Sequence, residues 1–211
     1  FQWNFGDGTL SNIKNPHHTF NESGSHFVSL EVASTDQCVS YHNEFINIHA
    51  LPNVNFLVDT QVCEDMDVAF NDITSSDDEI IRWVWNFGDN NVSYVKNPVN
   101  LYRHAGIYDI SLFVESAVSC SNFVIKEGLI TVIENPVASF NFSDNNVDLL
   151  DSEITFINTS SKDIYVEWDI GNGQVNSTED IFTANFEAAG IYDVSLYVEN
   201  EFGCADQETN Q

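Results

Sequence analysis

The chain has 211 residues, of which 43% are hydrophobic, and its 33 Asp and Glu against 6 Lys and Arg give a formal net charge of -27. Such a surface repels phosphate backbones, so nucleic acid is excluded as a partner, and no apolar run reaches the ~20 residues of a membrane span, so no membrane insertion is expected in this segment. With 16 Phe, 7 Tyr and 4 Trp the chain has ample material for packed cores and is not disordered, and its acidity reads as a solvating surface, with divalent-cation uptake as the alternative.

In chain order, the first element is FQWNFGDG, residues Phe1 to Gly8, and it returns as WVWNFGDN from Trp83 and as VEWDIGNG from Val166. Trp3, Trp85 and Trp168 are 82 and 83 residues apart, and each is followed by an apolar residue (Phe5, Phe87, Ile170) and a glycine (Gly6, Gly88, Gly171). Lys14-Asn15-Pro16 returns as Lys96-Asn97-Pro98, and GSHFVSLEV from Gly24 returns as GIYDISLFVE from Gly106 and GIYDVSLYVE from Gly190. Cys38, Cys120 and Cys204 each stand six residues after a valine of that last stretch. This is an internal repeat, with joints near Leu51-Pro52 and Asn135-Pro136. It places domains at 1–51, 52–135 and 136–211.

Only the middle repeat reads as complete. Phe1 already lies inside a strand pattern, the first repeat lacks its opening third, and the last stops after Cys204 without a closing strand, so the sequence is read as an excerpt of a longer polypeptide. Neither joint holds a Gly/Ser-rich stretch, and a short joint with a fixed-φ proline restricts hinge motion. The expectation is a semi-rigid string.

Within a repeat the hydrophobic period is two. Trp83, Trp85 and Phe87 share a strand face, as do Tyr108, Ile110, Leu112 and Val114, and further strands are expected at Val54 to Val58, Asp67 to Asn71, Asn122 to Ile125 and Leu129 to Ile133. No helical stripe is present. About seven short strands per repeat describe an all-β, immunoglobulin-like sandwich.

WNFGDG, then KNP, then an aromatic (Phe20, Tyr102), then G-x-Y-x-[IV]-S-L-x-V resembles the PKD domain, named from polycystin, whose signature is a W-D-F-G-D-G strand and turn followed by H-x-[FY]-x-x-x-G-x-Y-x-[VI]. The departures are His26 for Tyr in the first repeat, Asn90 for Gly in the second and Asn172 for Asp in the third. The resemblance implies tandem, non-catalytic, extracellular β-sandwiches of large secreted or cell-surface proteins, with cysteine-bearing repeats most similar to those of Bacteroidota-type bacteria. It also implies a bridge between Cys63 and Cys120, at positions the family often links. Cys38 then pairs outside the chain, while register sets Val147 where a partner of Cys204 would stand.

Asp7 and Asp89 are the candidates for chemistry. A calcium site needs several oxygen ligands at fixed spacing, yet Asn172 stands at this position in the third repeat and no D-x-D-x-D-G loop surrounds any copy. The competing reading is a turn in which the Asx side chain binds nearby amides and the next residue (Gly8, Asn90, Gly173) takes positive φ. Trp3, Gly6, Asp7, Trp85, Gly88, Asp89, Trp168, Gly171 and Asn172 then form a structural turn motif and no metal site, although Ca²⁺ in a loop such as Asp77-Asp78-Glu79, Glu64 to Asp67 or Asp144 to Asp148 is kept open. No G-x-S-x-G, H-E-x-x-H or C-x-x-C is present, so no catalytic residue is assigned. His17 and His18 read as loop residues, and the N-x-[ST] triplets at Asn21, Asn91, Asn141, Asn158 and Asn176 matter only in a eukaryotic host.

Phe113 and Tyr197 point away from the core face at matched positions and are the candidates for contact with a ligand or partner. The functional expectation is a structural spacer array projecting or linking other modules of a surface adhesin or filament. The alternative is an accessory module that binds carbohydrate or protein. The partners expected are neighbouring domains of the same longer chain, cell-surface proteins or polysaccharide.

Overall fold

A computed structural model describes residues 1–143, 153–161, 164–171, 173, 175–176 and 179–211, with backbone only at 175–176. Asn172, Val147 and the Asp144 to Asp148 run lie outside the described residues. Among the described residues every regular element is a strand, and no helix is long and apolar enough to cross a membrane.

The first repeat contributes β1 (Gln2–Asn4), β2 (Leu10–Ser11), β3 (Gly24–Ala33) and β4 (Val39–Ile48). The second contributes β5 (Phe56–Leu57), β6 (Gln61–Cys63), β7 (Asp67–Ala69), β8 (Asn71–Asp72), β9 (Ile80–Asn86), β10 (Val92–Ser93), β11 (Val99–Leu101), β12 (Gly106–Ser116) and β13 (Ser121–Ile133). The third contributes β14 (Phe140–Phe142), β15 (Glu153–Asn158), β16 (Tyr165–Asp169), β17 (Val175–Asn176), β18 (Ile181–Asn185), β19 (Val194–Glu199) and β20 (Ala205–Asn210).

These strands form two compact units: residues 1–58, 69–100 and 109–127 in one, and 59–68, 101–108 and 128–211 in the other. The first unit holds the sheet β2-β1-β3-β4, the pair β5-β8, and an antiparallel ladder in which β9 lies between β10 and β12. Trp85 sits in its core with no exposed surface, edge-on to Phe56 at 5.1 Å between ring centroids and tilted against Phe70 at 5.5 Å. Ile110, Leu112 and Val114 face the same core, the period of two that strand geometry dictates.

The second unit packs the sheets β14-β15-β18 and β17-β16-β19-β20, with Trp168 buried between Phe140 at 5.2 Å and Phe182 at 5.2 Å. Burial of rings of this size dominates such a core. In this unit β6 also runs parallel to the end of β13, Cys63 opposite Ile133.

Two sequence expectations change here. The two strands expected at Asn122 to Ile125 and Leu129 to Ile133 are one 13-residue strand, β13, with Gly128 at φ 56° inside it. A glycine adopts that conformation without a Cβ clash, so the strand passes through it unbroken. Residues after Cys204 also form a strand where none was expected: β20 pairs with the whole of β19.

Candidate functional site

The repeated turn is built from two nested side-chain caps. In the second repeat Asn86 Oδ1 accepts from the Gly88 amide at 2.9 Å, and Asp89 Oδ1 accepts from the Asn91 amide at 2.9 Å. The first repeat does the same with Asn4 and Gly6 (3.0 Å) and with Asp7 and Thr9 (3.0 Å), and the third places Asp169 Oδ1 2.8 Å from the Gly171 amide. Short Asx side chains satisfy amides that the reversing backbone leaves unpaired. Asn90 takes φ 74° where Gly8 has 90° and Gly173 has 83°.

In the first and third repeats the glycine two residues after the strand has a second constraint. A Cβ on Gly6 would lie 2.6 Å from the Phe27 carbonyl oxygen, and one on Gly171 would lie 2.8 Å from that of Asp193, because the neighbouring strand passes directly over the turn. The tryptophan indoles anchor the strand on the other side: Trp85 Nε1 donates to the Val95 carbonyl and Trp168 Nε1 to that of Glu179, each at 3.1 Å. Trp3 Nε1 is buried without a hydrogen-bond partner.

The carboxylates are tied further into the fold. Asp89 Oδ2 accepts from Asn91 Nδ2 and Asn100 Nδ2, both at 2.8 Å, while Asp7 Oδ2 lies 2.7 Å from His18 Nε2. The Thr9 hydroxyl above all, then the Thr9 amide and His18, hold the Asp7 carboxyl well below the usual carboxylate range, against desolvation that acts the other way. His18 lies in the loop between β2 and β3, as expected, but its side chain is engaged there. Its ring stacks on Phe5 at 4.0 Å between centroids, and it occupies the histidine position of H-x-[FY], two residues before Phe20, where the later repeats have Asn100 and Ala184.

A second repeated device closes the loop before each long strand. Tyr108 donates its hydroxyl to the His104 carbonyl at 2.7 Å, and Tyr192 to that of Ala188 at 2.8 Å. His26 does the same work, with Nε2 3.0 Å from the Glu22 carbonyl oxygen. Each ring also packs on the aromatic six residues earlier, Phe20 on His26 at 4.5 Å, Tyr102 on Tyr108 at 4.7 Å and Phe186 on Tyr192 at 4.6 Å.

The disulfide differs from the expected one. Cys63 is bonded to Cys204, with Cα atoms 5.6 Å apart and a sequence separation of 141, while Cys38 and Cys120 are free. The expected Cys63–Cys120 bridge fails because β13 intervenes. Cys120 precedes the first residue of β13 whereas Cys63 pairs with its last, and 13 residues of strand span about 40 Å, far beyond disulfide reach.

Around the bridge, β6 and the Asn135-Pro136 joint are held by a polar network. The Glu64 amide donates to the Ile133 carbonyl at 2.9 Å, and Asn135 Nδ2 to the Glu64 carbonyl at 3.3 Å. Asn200 Nδ2 reaches the Glu134 carbonyl at 3.1 Å, and Asn200 Oδ1 accepts from the amides of Phe202 and Cys204. Sequence reasoning set Glu64 in a carboxylate loop and Asn135 at a joint without this bonding role, and it missed Asn200. The only signal was Asn200 standing where the other repeats carry Ser34 and Ser116.

Against known proteins, a family model described as PKD domain matches residues 1–47 and 49–127, and a second PKD domain model matches 139–211. The chain belongs to the PKD domain family. Among solved structures it is similar to the PKD1 domain of Vibrio anguillarum Epp, at 24% identity over 41% of this chain and 100% of that one, TM-score 0.36. The PKD1 domain from the Vibrio cholerae metalloprotease PrtV is 25% identical over 39% of this chain and 98% of that one, TM-score 0.35. A structure of carbohydrate-binding modules from the beta-sandwich superfamily is 12% identical over 77% of this chain and 84% of that one, TM-score 0.39.

In these PKD repeats the two candidate contact residues are half-buried rather than exposed. Phe113 lies beneath the Arg82 guanidinium, 5.8 Å from the ring centroid, and Arg82 pairs with Glu115 at 3.2 Å. The Tyr197 hydroxyl donates to Glu199 at 3.0 Å; burial, then that bond, push its pKa up from the ordinary phenol value. The Asn91 and Asn158 side-chain amides are engaged by Asp89 and Asp180. Among the described residues no three His, Cys, Asp or Glu side chains converge on a metal position.

Proposed function

We propose that this chain is a non-catalytic structural and spacer segment of a large extracellular surface adhesin or filament, with PKD domains at 1–51, 52–135 and 136–211. Its role is to project or link other modules of the same longer chain. The observation that carries this reading is the Cys63–Cys204 bridge, which joins a strand of the second repeat to a turn of the third. Closing a loop of that length stabilises by about 5 kcal/mol on the chain-entropy account. It also bypasses the chain between the two sulfurs, so tension along the polypeptide crosses one covalent bond instead of unravelling two sandwiches.

A disulfide persists in an oxidising compartment, which supports export to the cell surface, and the -27 charge solubilises exposed strand edges. The reading requires no cofactor. Calorimetric titration with Ca²⁺ is expected to give no heat, and melting is expected to be the same in chelator; saturable heat with a raised melting temperature overturns that part of it.

A second reading, an accessory module for polysaccharide or a surface protein, draws on β4. Tyr41 and Phe45 are 66% and 68% exposed on one face, and Phe27 lies beside Phe45 with ring centroids 5.0 Å apart. A glycan array probed with the oxidised chain discriminates the two. The spacer reading expects no reproducible hits, and hits that vanish in a Tyr41→Ser, Phe45→Ser variant favour the binding module.

A further inference from the structure

We infer that the outer face of β16 and β19 in the third repeat is a docking site for an arginine side chain presented by a basic segment of another protein. Such a site goes beyond the spacer reading and stands whether or not that reading holds.

Val166, Trp168, Leu196 and Val198 turn into the core of this sandwich, so the residues between them line its outer face. Tyr165 stands opposite Glu199 and Glu167 opposite Tyr197 in the antiparallel ladder. The Tyr165 hydroxyl donates to Glu167 Oε2 at 2.9 Å and the Tyr197 hydroxyl to Glu199 Oε2 at 3.0 Å. The two rings meet edge to face with centroids 6.3 Å apart. The hydrogen bond to Glu167 in Tyr165, and burial in Tyr197, raise both phenol pKa values, so the hydroxyls keep their protons and remain donors. Two rings and two carboxylates thus share one patch, and among the described residues neither Glu167 nor Glu199 is paired with a cation.

The second repeat shows what such a patch holds. Trp85 lies opposite Leu112 as Trp168 lies opposite Leu196, so Arg82, Phe113 and Glu115 are the counterparts of Tyr165, Tyr197 and Glu199. There the Arg82 guanidinium sits over the Phe113 ring at 5.8 Å and pairs with Glu115 at 3.2 Å. An aromatic face beside a carboxylate suits a guanidinium, whose plane stacks on the ring while its edge donates to the oxygens. In the third repeat the aromatic and the carboxylate are kept. Tyr165 replaces the arginine, and Glu167 stands where the second repeat has Val84. The patch therefore lacks the cation of its counterpart and carries one more ring and one more carboxylate.

Charge selects the occupant. A chain of net charge -27 attracts a basic partner and repels a second copy of itself. Lysine fits less well than arginine, because an ammonium is a compact, strongly hydrated charge that neither stacks nor forks. Lys162, the single Lys or Arg of residues 136–211, lies outside the described residues.

The test titrates the oxidised, isotope-labelled chain with acetyl-Gly-Arg-Gly amide in about 0.15 M salt, where diffuse attraction is screened. Amide shifts are read residue by residue by NMR. Saturable shifts are expected in Tyr165 to Glu167 and Tyr197 to Glu199. Binding is expected to weaken about fivefold in Glu199→Gln and in Tyr197→Leu, and acetyl-Gly-Lys-Gly amide is expected to bind about threefold more weakly than the arginine peptide. Arg82→Ala is expected to open a second site, with saturable shifts in Phe113 to Glu115. Shifts spread over the acidic residues without saturation, unchanged affinity in Glu199→Gln, no second site in Arg82→Ala, or equal binding of the lysine peptide or of glucosamine overturns the inference. So does binding about tenfold tighter in Lys162→Ala, since the chain then fills the site with its own cation.

Discussion

Asn100 donates its side-chain amide to Asp89 Oδ2 at 2.8 Å from eleven residues away. One carboxylate thereby closes a tight turn and binds it to the strand approaching Tyr102. Asp89→Ala removes the acceptor of the Asn91 amide and of the Asn100 side chain, and one of the two acceptors of the Asn91 side chain. A loss of about 2 kcal/mol is expected, read as a lower urea midpoint at unchanged slope.

The glycines of the turn separate into two kinds. Gly171→Ala meets both a positive φ and the Asp193 carbonyl oxygen, whereas Gly173→Ala meets only the positive φ, with nothing within 4 Å of the added carbon. The first is expected to cost more than about 2 kcal/mol and the second about 1 kcal/mol. Equal midpoints for the two variants would remove the close approach as a cause.

At the first turn the folded carboxyl of Asp7 titrates below its ordinary value of 3.8. A group whose pKa is depressed on folding contributes stability that is whole above the unfolded value and is lost as pH falls through the folded one. Acid titration below pH 3.8 is therefore expected to destabilise the wild type more steeply than Asp7→Asn. Parallel acid profiles contradict the assignment.

His26 stands where the other repeats have Tyr108 and Tyr192, and all three reach the carbonyl four residues back. His26→Tyr is expected to preserve stability, while His26→Phe and Tyr192→Phe each lose about 1 kcal/mol. Thermal melting of the three variants checks this order.

The repeat register made the all-β fold legible, because Trp85 and Trp168 recur with the same flanking glycines and strand period. The turn was legible for the same reason: Asn90 in place of Gly8 reports the backbone conformation directly. Disulfide pairing was not, since it depends on the uninterrupted length of β13, and residues 126–128 fell outside the two expected strands although they lie within one. Alternation placed Phe113 and Tyr197 on the face away from the core but carried no information about Arg82 and Glu199, which half-cover them. His18 and His26 were obscured because each substitutes chemically for a different residue type in the other repeats.

The central claim is that the Cys63–Cys204 bond carries tension past the chain it encloses. Pulling single molecules by their two ends, with and without reductant, measures this directly. The full contour length of the reduced protein is expected to exceed that of the oxidised protein by about 500 Å, the extended length of a sequence separation of 141, and Cys63→Ser is expected to match the reduced protein. A difference of about 200 Å, the chain between Cys63 and Cys120, or no difference at all, would contradict the account.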